Sequence, residues 1–186
     1  MDDVRCRADE SALRQGMTYH PEQGERLIRF IETCCRPQSG RLAGKGWRLF
    51  DWQRDACRRL WSWRRKDGTR RFRQGYISVA RQNGKSALCS WLALALLMID
   101  GESSPAVASA ALTREQASLV YESMAYCVEG NDRLAAACHV QPYKRQITVP
   151  RTNGRYFSLS REAHSNLGTS LSGLILDEYA FWPSSE

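Results

Sequence analysis

The stretch Ile77–Asp100, ISVARQNGKSALCSWLALALLMID, decides how the chain is read. A short apolar segment passes through a polar turn, Arg81-Gln82-Asn83-Gly84, into a long apolar run that opens with Lys85-Ser86. Strand, turn and helix N-terminus in that order make a phosphate cradle. The first-turn N–H groups point outward and the helix dipole favours negative charge. In the common form of the loop, G-x-x-x-x-G-K-[ST], a glycine stands five residues before the second one. Val79 occupies that position here. The choice is between a chance GKS and a working variant, and it rests on what stands elsewhere in the chain.

The apolar run Gly75–Ala80 predicts a buried strand, with Val79 as its last inward residue. Gly84 lets the backbone approach phosphate closely. Lys85 then reaches the β- and γ-phosphates of ATP, and the Ser86 hydroxyl is placed for Mg²⁺. Arg81, Gln82 and Asn83 complete the loop. The second half of such a site is a carboxylate at the tip of another strand. The run Leu171–Leu176 predicts that strand, buried by its apolar residues, and it ends in Asp177-Glu178. Asp177 would hold Mg²⁺, and Glu178 would polarise the attacking water as general base. Upstream, Phe50-Asp51-Trp52 precedes Gln53. A glutamine amide matches the adenine edge, which shows N6–H₂ and N7, but it equally suits a solvated helix start.

The 186 residues suffice for one domain with a real core. A net charge of +7 makes an acidic partner plausible, with nucleic acid first among them. The run Arg64–Arg73, RRKDGTRRFR, fits contact with DNA phosphates, a solvated loop or a partner-binding surface. Seven cysteines, no C-x-x-C pair and no signal peptide imply free thiols in a reducing cytoplasm. The longest apolar run, Ala87–Ile99, is too short to cross a bilayer and reads as a buried helix.

Residues 1–18 are polar and predict a loose N-terminus. Residues 19–73 predict a small helical segment. It holds one helix over Glu22–Cys35, with Leu27, Ile28, Ile31 and Cys34/Cys35 inward. A second helix over Asp51–Arg65 has Trp52, Ala56, Leu60 and Trp63 on one face. Residues 74–186 form the core. Ala106–Ala111 predicts a strand, and Thr113 with Gln116 a capping box for a helix over Arg114–Val128. Asn153-Gly154 between Gln146–Pro150 and Arg155–Ser160 predicts a hairpin. Strands alternating with helices predict an α/β fold with a mainly parallel sheet flanked by helices and an antiparallel hairpin insert.

The ordered set RLIRFIE, GWRLFDWQRDACRRLW, DGTRRFRQGYISVARQNGKS, ASAALTREQASLVYESM and SNLGTSLSGLILDEYAFW resembles the ATPase domain of the large terminase subunits of tailed bacteriophages, of the HK97-like type. The likeness implies a P-loop NTPase fold with Walker A and Walker B motifs, ATP and Mg²⁺ as cofactors, and hydrolysis that drives double-stranded DNA into a procapsid. Implied partners are a portal protein, a small terminase subunit and further copies in a ring, in the cytoplasm of a bacterial host. A deviant first glycine with an arginine before the Gly-Lys is common in that family. By resemblance Arg81 is a γ-phosphate sensor or charge stabiliser, Gln53 the adenine reader, Asp177 the Mg²⁺ aspartate and Glu178 the catalytic glutamate. Arg145, Arg151, Arg155 and Arg161 stand open as the arginine supplied to a neighbouring subunit.

The family's coupling strand and nuclease domain would follow the acidic motif. The sequence ends at Glu186, so it predicts an incomplete ATPase domain, as from a truncated prophage gene, a partial reading frame or a split gene. Two further readings stand beside the ATPase. One is a helicase-like nucleic-acid-dependent ATPase, against which Val79 and Arg81-Gln82 speak. The other is a non-catalytic remnant that binds nucleotide or partners only.

Overall fold

The computed structural model describes residues 4–111, 114–159 and 170–177. The chain forms two compact units: residues 1–32 with 48–79, and residues 33–47 with 80–186.

The first unit holds helices α1 (Arg7–Arg14), α2 (Pro21–Cys34) and α3 (Asp51–Ser62) and two short strands, β1 (Thr18–Tyr19) and β2 (Trp63–Arg64). Helix α2 buries Gly24, Leu27, Ile28 and Ile31, as its periodicity predicts. A Cβ on Gly24 would stand 2.9 Å from the Arg58 backbone, so glycine alone allows α2 and α3 to approach there. Helix α3 is rotated from the expected face. It buries Gln53, Cys57 and Trp61, while Trp52, Ala56 and Leu60 are half-buried. The cause is Gln53, whose Oε1 turns inward and accepts the Phe50 N–H at 3.0 Å, satisfying a donor at the helix start. Helix α3 ends at Ser62 rather than Arg65, because Trp63-Arg64 pairs antiparallel with Thr18-Tyr19.

The expected loose N-terminus is also corrected. Helix α1 carries Asp9, whose side chain is 0% exposed. Arg59 Nη1 donates to it at 2.8 Å, Arg71 Nη1 at 2.7 Å and the Arg5 backbone N–H at 3.1 Å. Burial pushes this carboxyl up, but the hydrogen bonds from Arg59 and Arg71 win and hold it well below the usual carboxylate range. Arg71 also lies over Trp63 at 4.5 Å and Phe72 at 4.7 Å, and Arg70 over Trp61 at 5.6 Å. Part of the basic run is thus turned to structural use.

The expected strand Gly75–Ala80 does not form, and Tyr76 is exposed. An apolar run makes a strand only where a neighbour accepts its ladder hydrogen bonds. Among the described residues this segment has no such pairing.

The second unit holds α4 (Lys85–Met98), β3 (Ala106–Ala110), α5 (Arg114–Glu129), α6 (Asp132–Ala137), β4 (His139–Gln141), β5 (Gln146–Val149), β6 (Gly154–Leu159) and β7 (Gly173–Leu176). The sheet order is β4-β5-β6-β3-β7. Strand β3 is parallel to both β6 and β7, and only β5 runs against the rest. The Asn153-Gly154 hairpin forms, with Asn153 at φ 52°. Strand β4 was not foreseen; it adds to β5 through a turn that Arg145 closes at φ 47°. Thr113, the expected helix cap, lies outside the described residues.

Helices α4 and α5 cover one face of the sheet. Leu96 lies against Gly173 and Leu97 against Gly154, and Tyr121 stacks on Tyr156 with ring centroids 6.5 Å apart. Ser90 and Ser123 hydroxyls, 2.7 Å apart, join the two helices. Among the described residues strand β7 is at the sheet edge, and it is not buried as expected: Leu174 and Leu176 project from the other face, 45% and 39% exposed. Residues 33–47 fold onto this unit. The Arg36 N–H meets Cys127 Sγ at 3.4 Å, and Trp47 packs on Trp91 with centroids 6.0 Å apart. All seven cysteines are free thiols.

Candidate functional site

The loop 81–84 is wound tightly by its own residues. Asn83 Nδ2 donates to the carbonyls of Ala80 and Arg81, both at 3.2 Å. Gln82 takes a left-handed φ of 64°, which is strained for a residue with a side chain. Gly84 caps α4 at φ 73°, ψ 21°, a conformation that costs other residues roughly 1–2 kcal/mol. Asn83, expected to touch ATP, latches the turn in this structure. Arg81, Gln82 and Ser86 are exposed, and the Ser86 hydroxyl stands on the first turn of α4.

Beyond the loop, α4 is held by its apolar length. Leu88, Trp91 and residues 93–97 are buried. That anchor fixes where Lys85 emerges. Lys85 Nζ lies 3.6 Å from Asp177 Oδ1, which stands just past the end of β7. The separation is an ion pair, longer than the 2.7–2.9 Å typical of a tight charged hydrogen bond. The Asp177 side chain is 9% exposed and the Lys85 side chain 29% exposed. The two halves expected from GKS and LILDE therefore meet, with a cation still open to solvent. Cys89, read from the sequence as a free thiol, lies one turn after Lys85 on α4. Burial pushes its thiol up to about 12, the Asp177 charge adds to the rise and Lys85 opposes it. The i, i+4 spacing from Lys85 was the available signal of that placement.

The donor set suits Mg²⁺, a hard cation that is held by one or two carboxylates together with substrate phosphates. Asp177 and Ser86 supply hard oxygen atoms. Glu178 lies outside the described residues, as does Arg161. Gln53 belongs to the first unit and is 0% exposed. Its Oε1 serves the helix start, and its Nε2 is buried without a hydrogen-bond partner. A buried donor left unmade costs about 1–3 kcal/mol, so the amide suits a ligand acceptor such as adenine N7.

Residues 51–186, which span Gln53, the loop and Asp177-Glu178, match the model of the terminase large subunit ATPase domain. The chain belongs to this family. A large terminase subunit of Enterobacteria phage HK97 is 32% identical over 157 residues, covering 84% of this chain and 30% of that protein. The crystal structure of the HK97 bacteriophage large terminase matches with a TM-score of 0.70 at 30% identity, over 83% of this chain and 30% of that one. The terminase relatives are thus much longer than the chain described here. Among the described residues no helix is long and apolar enough to cross a membrane.

Proposed function

We propose that this terminase ATPase chain binds ATP with Mg²⁺ at residues 81–86 and Asp177, and hydrolyses it to power packaging of double-stranded DNA into a procapsid. The observation that carries the reading is the 3.6 Å approach of Lys85 Nζ to Asp177 Oδ1 at the mouth of α4. Backbone N–H groups of the loop and first helical turn bind the phosphates. Lys85 leaves Asp177 to follow the β- and γ-phosphates, and Arg81 neutralises charge that develops on the transferred phosphoryl group. Asp177 and Ser86 would hold Mg²⁺, which supplies charge neutralisation and orientation of the phosphates. Glu178 takes a proton from the attacking water. Gln53 donates to the adenine ring. A portal protein, a small terminase subunit and further copies of the chain in a ring are the proposed partners, in the cytoplasm of a bacterial host.

A second reading, nucleotide binding without turnover, is favoured by one observation: residues 74–80, which lead into the loop, have no strand pairing among the described residues. Steady-state ATP hydrolysis by the full chain separates the two. The proposal expects turnover that drops by about a hundredfold or more in Lys85→Ala and Glu178→Gln. ATP binding with a rate no higher than in both variants would establish the non-catalytic reading instead.

A further inference from the structure

Asp132 and Glu162 are consecutive acids in the sequence, and six basic residues stand between them: Arg133, Lys144, Arg145, Arg151, Arg155 and Arg161. Most of this acid-free stretch is the antiparallel part of the sheet, β4, β5 and β6. Lys144 is exposed in the β4–β5 turn, next to the fully exposed ring of Tyr143. Arg151 is exposed in the turn at the other end of β5. Arg155 lies across from Thr148, which in turn faces His139. Its guanidinium is 5.4 Å from the Phe157 ring on the same sheet face. Two acids of α5, Glu122 and Glu129, belong to the helix layer on the opposite face, where Tyr121 stacks on Tyr156.

The basic run 64–73 behaves differently. Arg71 is consumed by Asp9, and Arg70 and Arg71 lie over buried tryptophans. Arg70 and Arg71 of the stronger-looking charge run are built into their own unit, though Lys66 and Arg73 stay exposed, while Lys144, Arg151 and Arg155 of the weaker-looking one face solvent.

We propose that the β4–β5–β6 insert is a contact surface for the phosphate backbone of nucleic acid, carried by Lys144, Arg151 and Arg155. The two turns are separated by the four residues of β5, about 14 Å of strand. Duplex DNA presents one charge per about 1.7 Å of axis, so a track of this length faces roughly eight of them. Exposed basic side chains spread over that span suit a continuous polyanion better than a single acidic side chain. The exposed Tyr143 hydroxyl adds a donor for phosphate oxygen. The surface stands apart from the nucleotide reading, and its test needs no ATP.

The test is equilibrium binding of the full chain to a short mixed-sequence DNA duplex, without nucleotide, over a series of salt concentrations. The triple variant Lys144→Gln, Arg151→Gln, Arg155→Gln changes exposed side chains only, and its circular dichroism melt confirms folding. The expected result is affinity at least about tenfold weaker and a log–log salt slope reduced by about two to three. An unchanged slope would overturn the proposal. So would a slope that moves instead with Arg65→Gln, Lys66→Gln, Arg73→Gln. Equal displacement of the chain from DNA by polyglutamate at matched charge would assign the surface to an acidic protein and overturn it as well.

Discussion

The two units are held together by different physics. The first sets a buried carboxylate beside its apolar core of Leu27, Ile28, Ile31, Trp61 and Trp63: Asp9 binds Arg59 and Arg71, and arginines lie over Trp61, Trp63 and Phe72. The second closes around apolar surface, with α4 and α5 laid on one face of a five-stranded sheet. A charge-centred unit depends on pH and on each partner being present. An apolar one depends on volume and tolerates neither cavities nor an uncovered edge. Both styles occur in one chain, and substitutions should separate them.

The largest effect is expected in the second unit. Trp91→Ala removes a fully buried indole that packs on Trp47 and should cost about 4 kcal/mol. Denaturant unfolding would measure it, and hydrogen exchange should show the loss across β3 and β6. Asp9→Ala comes next, at about 3 kcal/mol, because two arginines are left facing each other without their anion. Protection should then fall over residues 5–32 and 48–73 while that of β3 stays. A uniform loss in both variants would erase the distinction between the units.

The pH dependence sharpens it further. The Asp9 carboxyl is depressed in the folded state, so the unfolded state binds its proton first as pH falls. Its stabilisation is fully present above the ordinary carboxylate value of about 4 and is lost below it, towards the depressed folded value. Thermal melts of the first unit should weaken through that acid window, and Asp9→Asn should remove this component. At the loop, Gly84→Ala should cost about 1–2 kcal/mol through its left-handed φ, read as a lower melting temperature and weaker nucleotide binding. The smallest effect on stability belongs to β7, the edge strand among the described residues. Leu174→Lys with Leu176→Lys should change the unfolding free energy by less than about 0.5 kcal/mol, yet raise solubility.

Sequence patterns found the elements whose signals are local. The apolar length of α4, the stripe of α2, the β3 run and the Asn153-Gly154 turn each declare themselves within a dozen residues. The GKS loop and the acidic strand end were legible in the same way, but the 3.6 Å ion pair of Lys85 with Asp177 was not read from them. What stayed hidden depends on distant partners. Asp9 reads as solvated until Arg59 and Arg71 surround it. Gln53 reads as a polar helix start until its amide turns inward, which rotates the buried face of α3 by one residue. Residues 74–80 have the composition of a strand, and composition does not supply a neighbour. Strand β4 is three residues long and has no pattern of its own apart from β5.

The central claim is that Lys85 and Asp177 form the phosphate end of an ATP site. Its most direct test is titration of the full chain with Mg²⁺–ATP, comparing wild type with Lys85→Ala. A charged donor to phosphate is worth about 1.5–3 kcal/mol, so the variant should bind about tenfold to a hundredfold more weakly. Equal affinity of the two proteins would contradict the claim.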